Sequence, residues 1–219
     1  MSSILSKNQI AILSLLSKER LIVDNFYLTG GTALAEFYLS HRFSEDLDFF
    51  SEQEFDALFI TSTFKKLRDK AHIKEINYEQ SFNRNLFFLE IDDETVKTEF
   101  TYFPFTRIES KKQFGDLYID SLIDIAVNKL FTIYQKPRSR DFIDLYCILE
   151  KQREWTTADL IDKAQAKFDY HIDPLQLASQ FVKAPALKDY PNMIRKIDEK
   201  KWQAFFMNEA KRLAESKLE

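Results

Sequence analysis

Glycine is scarce in this chain. Three occur among 219 residues, where average usage near 7% predicts about fifteen. This argues against a collagen-like chain or a turn-rich β-sandwich, and it makes each glycine informative. They are Gly30, Gly31 and Gly115, two of them adjacent. Cysteine is scarcer still. Cys147 alone rules out an intramolecular disulfide framework and suits a reducing compartment, so a cytoplasmic location is expected; within a core helix it reads as a small hydrophobe. The three histidines (His41, His72, His171) are scattered and no second thiol exists, so a zinc site is not expected. No apolar run approaches the ~18 residues of a membrane span, and the amphipathic N-terminus lacks the order of a signal peptide. The formal net charge of −4 gives no global basic footprint. Any nucleic-acid contact must come from a local patch. The local clusters, Lys65, Lys66, Arg68 and Lys70, and Lys136, Arg138 and Arg140, read as solvated faces.

What the chain has in quantity is phenylalanine, 21 residues, within a composition 45% hydrophobic and 30% charged. That is a soluble globular protein with a real core. Apolar periodicity predicts an opening helix over 3–18, a short buried strand at Phe26–Leu28, a helix over 33–39 capped by Thr32 or Thr29, a second strand over 43–50, and a helix over 52–70 with Phe55, Leu58, Phe59 and Leu67 on one side. Short β-branched and aromatic segments at 73–76, 86–91, 96–102 and 117–119 read as strands. From 121 onward only helices are expected, over 121–135, 139–152, 156–168, 174–183 and 198–217. The expected fold class is therefore α+β (α/β): a core with a mixed β-sheet flanked by helices over residues 1–118, then a helical region over 119–219 packed on it without a flexible linker.

Two features carry chemistry. A strand that ends in Gly30-Gly31-Thr32 and leads into a helix places free backbone N–H groups at a positive helix end, an arrangement suited to phosphate. Glycine admits the close approach of the anion and a positive φ, and Thr32 can add a hydroxyl. Asp46 and Asp48, two apart on a strand, share one face. Paired carboxylates repel unless a cation lies between them, and hard oxygen ligands of this kind suit Mg²⁺, which binds through one or two carboxylates plus substrate phosphates. Alone, a Gly-Gly is a tight turn and an Asp-x-Asp a solvated edge. Together they put an anion site beside a cation site.

The string Gly30-Gly31-Thr32-Ala33-Leu34, followed by His41-Arg42-Phe43-Ser44-Glu45-Asp46-Leu47-Asp48-Phe49-Phe50, resembles the nucleotidyltransferase superfamily with a DNA polymerase β-like core. Within it, the string is most similar to the AbiEii/AbiGii-like toxins of abortive-infection systems. Ile123 to Leu130, with Lys129, and Arg138-Ser139-Arg140-Asp141-Phe142-Ile143-Asp144-Leu145 resemble that family's later motif. The resemblance spans about residues 26–150.

The resemblance implies transfer of a nucleoside monophosphate from an NTP to an acceptor hydroxyl with release of pyrophosphate. It implies tRNA 3′ ends as acceptor, a protein hydroxyl as a second option, and a cognate antitoxin as partner. It places Lys129 on the triphosphate with Arg140 and Asp141 toward the nucleotide, and Asp144 near the active site as a positioning group, Asp141 being second for that role. It implies a third carboxylate, Glu99 before Glu90, as metal ligand or general base. Read as residues alone, Lys97 pairs with Glu99, and Arg140 pairs with Asp144 along one helix. Tyr27 and Tyr102 read as core residues that could otherwise stack on a base. An antibiotic-modifying nucleotidyltransferase and a non-catalytic NTP-binding module are the alternatives. The Arg-Asp-x-x-Asp-Leu helix favours the toxin branch.

Overall fold

A computed structural model describes residues 3–109 and 112–215. The chain divides into two units. The first comprises Met1–Tyr38, Phe43–Thr106 and Ser110–Ser121; the second comprises Leu39–Arg42, Arg107–Glu109 and Leu122–Glu219.

The first unit is built on a mixed seven-stranded sheet in the order β3-β4-β5-β2-β1-β7-β6. Its strands are β1 (Tyr27–Thr29), β2 (Asp46–Ser51), β3 (Ile73–Ser81), β4 (Arg84–Ile91), β5 (Glu94–Tyr102), β6 (Lys112–Phe114) and β7 (Leu117–Ile119). β2 runs antiparallel to β1 and parallel to β5, and β3, β4 and β5 form an antiparallel meander. Alternation sets the two faces. Leu47 and Phe49 of β2 are fully buried while Asp46, Asp48 and Phe50 are half-buried on the opposite face. Much of the phenylalanine is packed here: Phe100 stacks on Phe49 at 4.8 Å between ring centroids and meets Phe26 at 5.1 Å and Phe87 at 5.9 Å.

Helices α1 (Lys7–Leu16), α2 (Arg20–Val23), α3 (Gly30–Leu34) and α4 (Ala57–Leu67) complete the unit. α1 opens with a full capping box between Ser6 and Gln9. α4 starts at Ala57, five residues later than its apolar content suggests, because Asp56 caps it through the Leu58 N–H. Its buried stripe is Ile60, Thr63, Phe64 and Leu67, and Leu58 is exposed instead. β3 outruns the segment 73–76 and β6 is an added strand, since neither an exposed edge nor a three-residue strand carries an apolar alternation to read.

The second unit contains α5 (Leu122–Gln135), α6 (Ser139–Lys151), α7 (Thr157–Phe168), α8 (Pro174–Phe181) and α9 (Glu199–Glu215), each starting and ending within two residues of the expected span, except that the expected end of the last at 216–217 lies outside the described residues. Its core is again aromatic, with Phe206 against Phe142 at 4.7 Å and Phe181 at 5.1 Å. Two buried aspartates draw in the stray segments. Asp124 of α5 accepts the N–H groups of Ile108 and Glu109 and pairs with Lys167 at 2.7 Å. Asp144 of α6 holds His41 and Arg42, whose strand-like path is also fixed by Ile194 and Arg195 N–H groups donating to the His41 carbonyl.

Candidate active site

The glycine turn and the aspartate strand meet in the first unit. Gly30 opens α3 at φ +73°, and a Cβ there would lie 2.3 Å from Asp48 Oδ2. Glycine is therefore required twice, for the left-handed backbone and for the space the Asp48 carboxylate occupies. Gly31 follows, half-buried, as the second residue of α3. Thr29, not Thr32, holds the N-cap position, and its hydroxyl donates to Asp120 at 2.6 Å rather than to the helix. The Thr32 side chain is fully buried and donates to the Asp46 carbonyl. Its hydroxyl thus ties the turn to β2, and only its backbone remains to face an anion. Beyond Leu34 the helix widens into a π-helical turn over Ala35–Leu39.

Register adds what spacing alone cannot. In the parallel β2–β5 pair, Asp46 lies opposite Lys97 and Asp48 opposite Glu99. Three carboxylates therefore share one sheet face. Lys97 pairs with Asp46 at 2.8 Å, not with Glu99. Glu99 is clamped instead by the Arg84 guanidinium from β4, with Nε to Oε1 at 2.6 Å, and by the Thr101 hydroxyl at 2.9 Å. The hydrogen bond to Glu99, with the charges of Glu99, Asp48 and Asp46, outweighs partial burial and pushes the Arg84 guanidinium up. Glu90 lies on the same face of β4, away from this row, and accepts from Thr95.

Asp46 and Asp48 fit a hard divalent cation: both are carboxylates, both are half-exposed on one face, and Lys97 already rests on one of them as a resident positive charge. Among the described residues no three His, Cys, Asp or Glu side chains converge as a ready metal cluster.

The later motif is a buried charge network in the second unit. Asp144 is fully buried and receives His41 Nε2 at 2.7 Å, Arg42 Nε at 2.7 Å and Nη2 at 2.9 Å, and Lys129 Nζ at 2.7 Å. Lys129 also reaches Asp141 at 2.7 Å, where Arg138 adds a contact at 2.9 Å. Burial raises both carboxyls, but the surrounding cations prevail. Lys129 first, then Arg42 and His41, hold Asp144 well below the usual carboxylate range, and Lys129 and Arg138 lower Asp141. The expected Arg140–Asp144 pair is replaced. Asp144 turns inward to Lys129, Arg42 and His41, and Arg140 is half-buried and in no ion pair among the described residues. His41 and Arg42 are the members that sequence reasoning missed. They lie about a hundred residues from Asp144, and no local signal links them. Tyr27 is buried in the core beside Phe50, and Tyr102 is half-buried.

Comparison with known proteins gives three findings. The family model described as nucleotidyl transferase AbiEii toxin, type IV TA system, matches residues 15–214. The Aquifex aeolicus (strain VF5) protein aq_aa25 is 32% identical over 151 residues, covering 67% of this chain and 68% of its own. The crystal structure of JHP933 from Helicobacter pylori aligns with a TM-score of 0.59 at 21% identity, over 96% of this chain and 90% of that one; at that identity the likeness is one of fold.

Proposed function

The chain belongs to the AbiEii family of nucleotidyl transferase toxins of type IV toxin–antitoxin systems, and from that premise we propose that it transfers a nucleoside monophosphate from an NTP to a hydroxyl at a tRNA 3′ end. The observation that carries this reading is the row Asp46, Asp48, Glu99 on one sheet face, with Gly30 shaped around the Asp48 carboxylate.

The residues divide the work as follows. Backbone N–H groups of Gly30, Gly31 and Thr32 at the start of α3 take the terminal phosphates. Asp46 and Asp48 would hold Mg²⁺, which would neutralise triphosphate charge and polarise the phosphoryl group. Lys97, seated on Asp46 at 2.8 Å, balances the strand's charge before nucleotide arrives. Arg84 and Thr101 fix the orientation of Glu99. The acceptor oxygen attacks the α-phosphorus, the bond from it to the β-phosphate oxygen breaks, and pyrophosphate leaves with the electron pair. The hydroxyl proton passes to a carboxylate of the row. Catalysis is chiefly positioning and charge stabilisation.

Lys129, Arg140 and Asp141 are proposed for the nucleotide, as the family resemblance implies, with Asp144 as the positioning residue for Lys129. On this account Lys129→Met, which also destabilises the buried network, weakens NTP binding at least tenfold by equilibrium dialysis at matched folded concentrations. Unchanged NTP affinity would make the lysine structural. The reaction itself is tested by incubating the protein with each α-labelled NTP, Mg²⁺ and total tRNA: wild type labels RNA, and Asp48→Asn does not. A neighbouring antitoxin gene and arrest of growth on expression are the cellular expectations. Drug resistance without growth arrest would favour an antibiotic-modifying enzyme instead.

A further inference from the structure

The face of the sheet opposite the carboxylate row carries a second feature. Alternation along β4 and β5 puts Asn85 and Phe100 on the side away from Glu99, and Tyr78 of β3 is paired with Phe87 on that same side. There, between the start of α4 and the β3–β4 hairpin, lies a groove of about 470 Å³. Tyr78, Phe82 and Tyr102 supply aromatic surface and Leu58 an aliphatic rim. Leu58 is 69% exposed and Phe82 95% exposed, the two highest exposures among the large hydrophobic side chains of the described residues. Glu54 and Asp56 line the same groove, and among the described residues no Lys, Arg or His does.

The hairpin tip sharpens the point. Both two-residue hairpins of the meander place their first loop residue in the left-handed region, Asp92 at φ +53° and Phe82 at φ +55°. Asp tolerates that conformation, whereas a bulky residue there is an outlier. Phe82 thus bears a backbone cost and an exposure cost, and among the described residues it enters no aromatic pair. The groove walls are set in advance by side-chain hydrogen bonds: Tyr78 donates to Asn85 at 2.7 Å, and Asn83 donates to the Tyr102 carbonyl at 2.8 Å.

We infer that this groove docks a basic peptide segment of a partner protein, apolar residues seating against Leu58 and Phe82 and a Lys or Arg side chain lying over Tyr78 or Tyr102 beside Glu54 and Asp56. Charge decides the class of partner. Aromatic faces with carboxylates attract organic cations, and two carboxylates without a cation repel a phosphate backbone, so RNA is disfavoured here even though aromatic surfaces can stack bases.

The test is amide NMR on the ¹⁵N-labelled full chain, titrated with three probes: the blocked hexapeptide Lys-Leu-Arg-Leu-Lys-Leu, its counterpart with glutamate at each basic position, and hexauridylate. The basic peptide is expected to shift amides over residues 54–61, 78–85 and 102 saturably, with the acidic peptide at least tenfold weaker. Glu54→Lys and Phe82→Ser, both exposed positions, are each expected to weaken binding at least tenfold with the other resonances unmoved and NMP transfer unchanged. The proposal is overturned if the basic peptide leaves these amides in place, if the acidic peptide or hexauridylate binds there equally well, if either variant binds as wild type does, or if the same amides shift with protein concentration alone, which would assign the groove to a second copy of the chain.

Discussion

At the scale of single residues, the candidate site depends on what Gly30 leaves out. Its missing Cβ would otherwise stand 2.3 Å from Asp48 Oδ2, so Gly30→Ala must move the carboxylate as well as strain a left-handed backbone. The strain costs about 1–2 kcal/mol, measurable by chemical denaturation, while NMP transfer is expected to fall at least a hundredfold. Activity near wild type would show that the Asp48 position is not critical. The Asp46/Asp48 pair was legible in the sequence because a strand's period is two and Leu47 and Phe49 mark its buried side. The partners of the pair were not. Lys97 and Glu99 sit two apart, which suggests a pair, but β2–β5 register gives Lys97 to Asp46, and the β4 hairpin brings Arg84 to Glu99. Register is a property of two strands, and neither strand's sequence states it.

At the scale of elements, the helices from α5 onward were legible almost to the residue, since long amphipathic periodicity needs no partner to be read. What their polar faces hold was not. Asp144 of α6 gathers His41, Arg42 and Lys129 at 2.7 Å each, and Asp124 of α5 gathers Ile108, Glu109 and Lys167. Each aspartate thereby fastens a segment from outside the helical region, Asp144 one that lies about a hundred residues away. Removing one partner of such a buried network leaves uncompensated charge and costs about 3–5 kcal/mol. Asp144→Ala is accordingly expected to lose that much by urea denaturation, whereas Asp48→Asn, on a half-exposed face, should change stability by only about 0.5 kcal/mol or less. Equal losses in the two variants would contradict a buried fastening at Asp144 and an accessible carboxylate at Asp48.

At the scale of the whole molecule, two units with aromatic cores are built from one chain that crosses between them more than once. Stability should therefore follow the buried carboxylates. Asp141 and Asp144 are lowered in the folded protein, so their contribution is present above the unfolded carboxyl range near pH 4 and is lost as pH falls through it toward the folded values. The urea midpoint is expected to be level from about pH 5 to 7 with respect to these groups and to fall below about pH 4, with a shallower fall in Asp144→Asn. An unchanged acid limb in that variant would contradict the assignment. The Gly30-Gly31-Thr32 turn, the Asp-x-Asp strand and the Arg-Asp-x-x-Asp-Leu helix carry the family resemblance within the sequence itself. The exchanged segments and the exposed groove behind the sheet required three dimensions. The central claim, that the Asp46–Asp48–Glu99 face transfers nucleotides, is tested most directly by following α-labelled NTP into tRNA with wild type and Asp48→Asn at matched folded concentrations: wild type should label the RNA 3′ end and release pyrophosphate in equal amount, the variant should do neither, and equal labelling by both would contradict it.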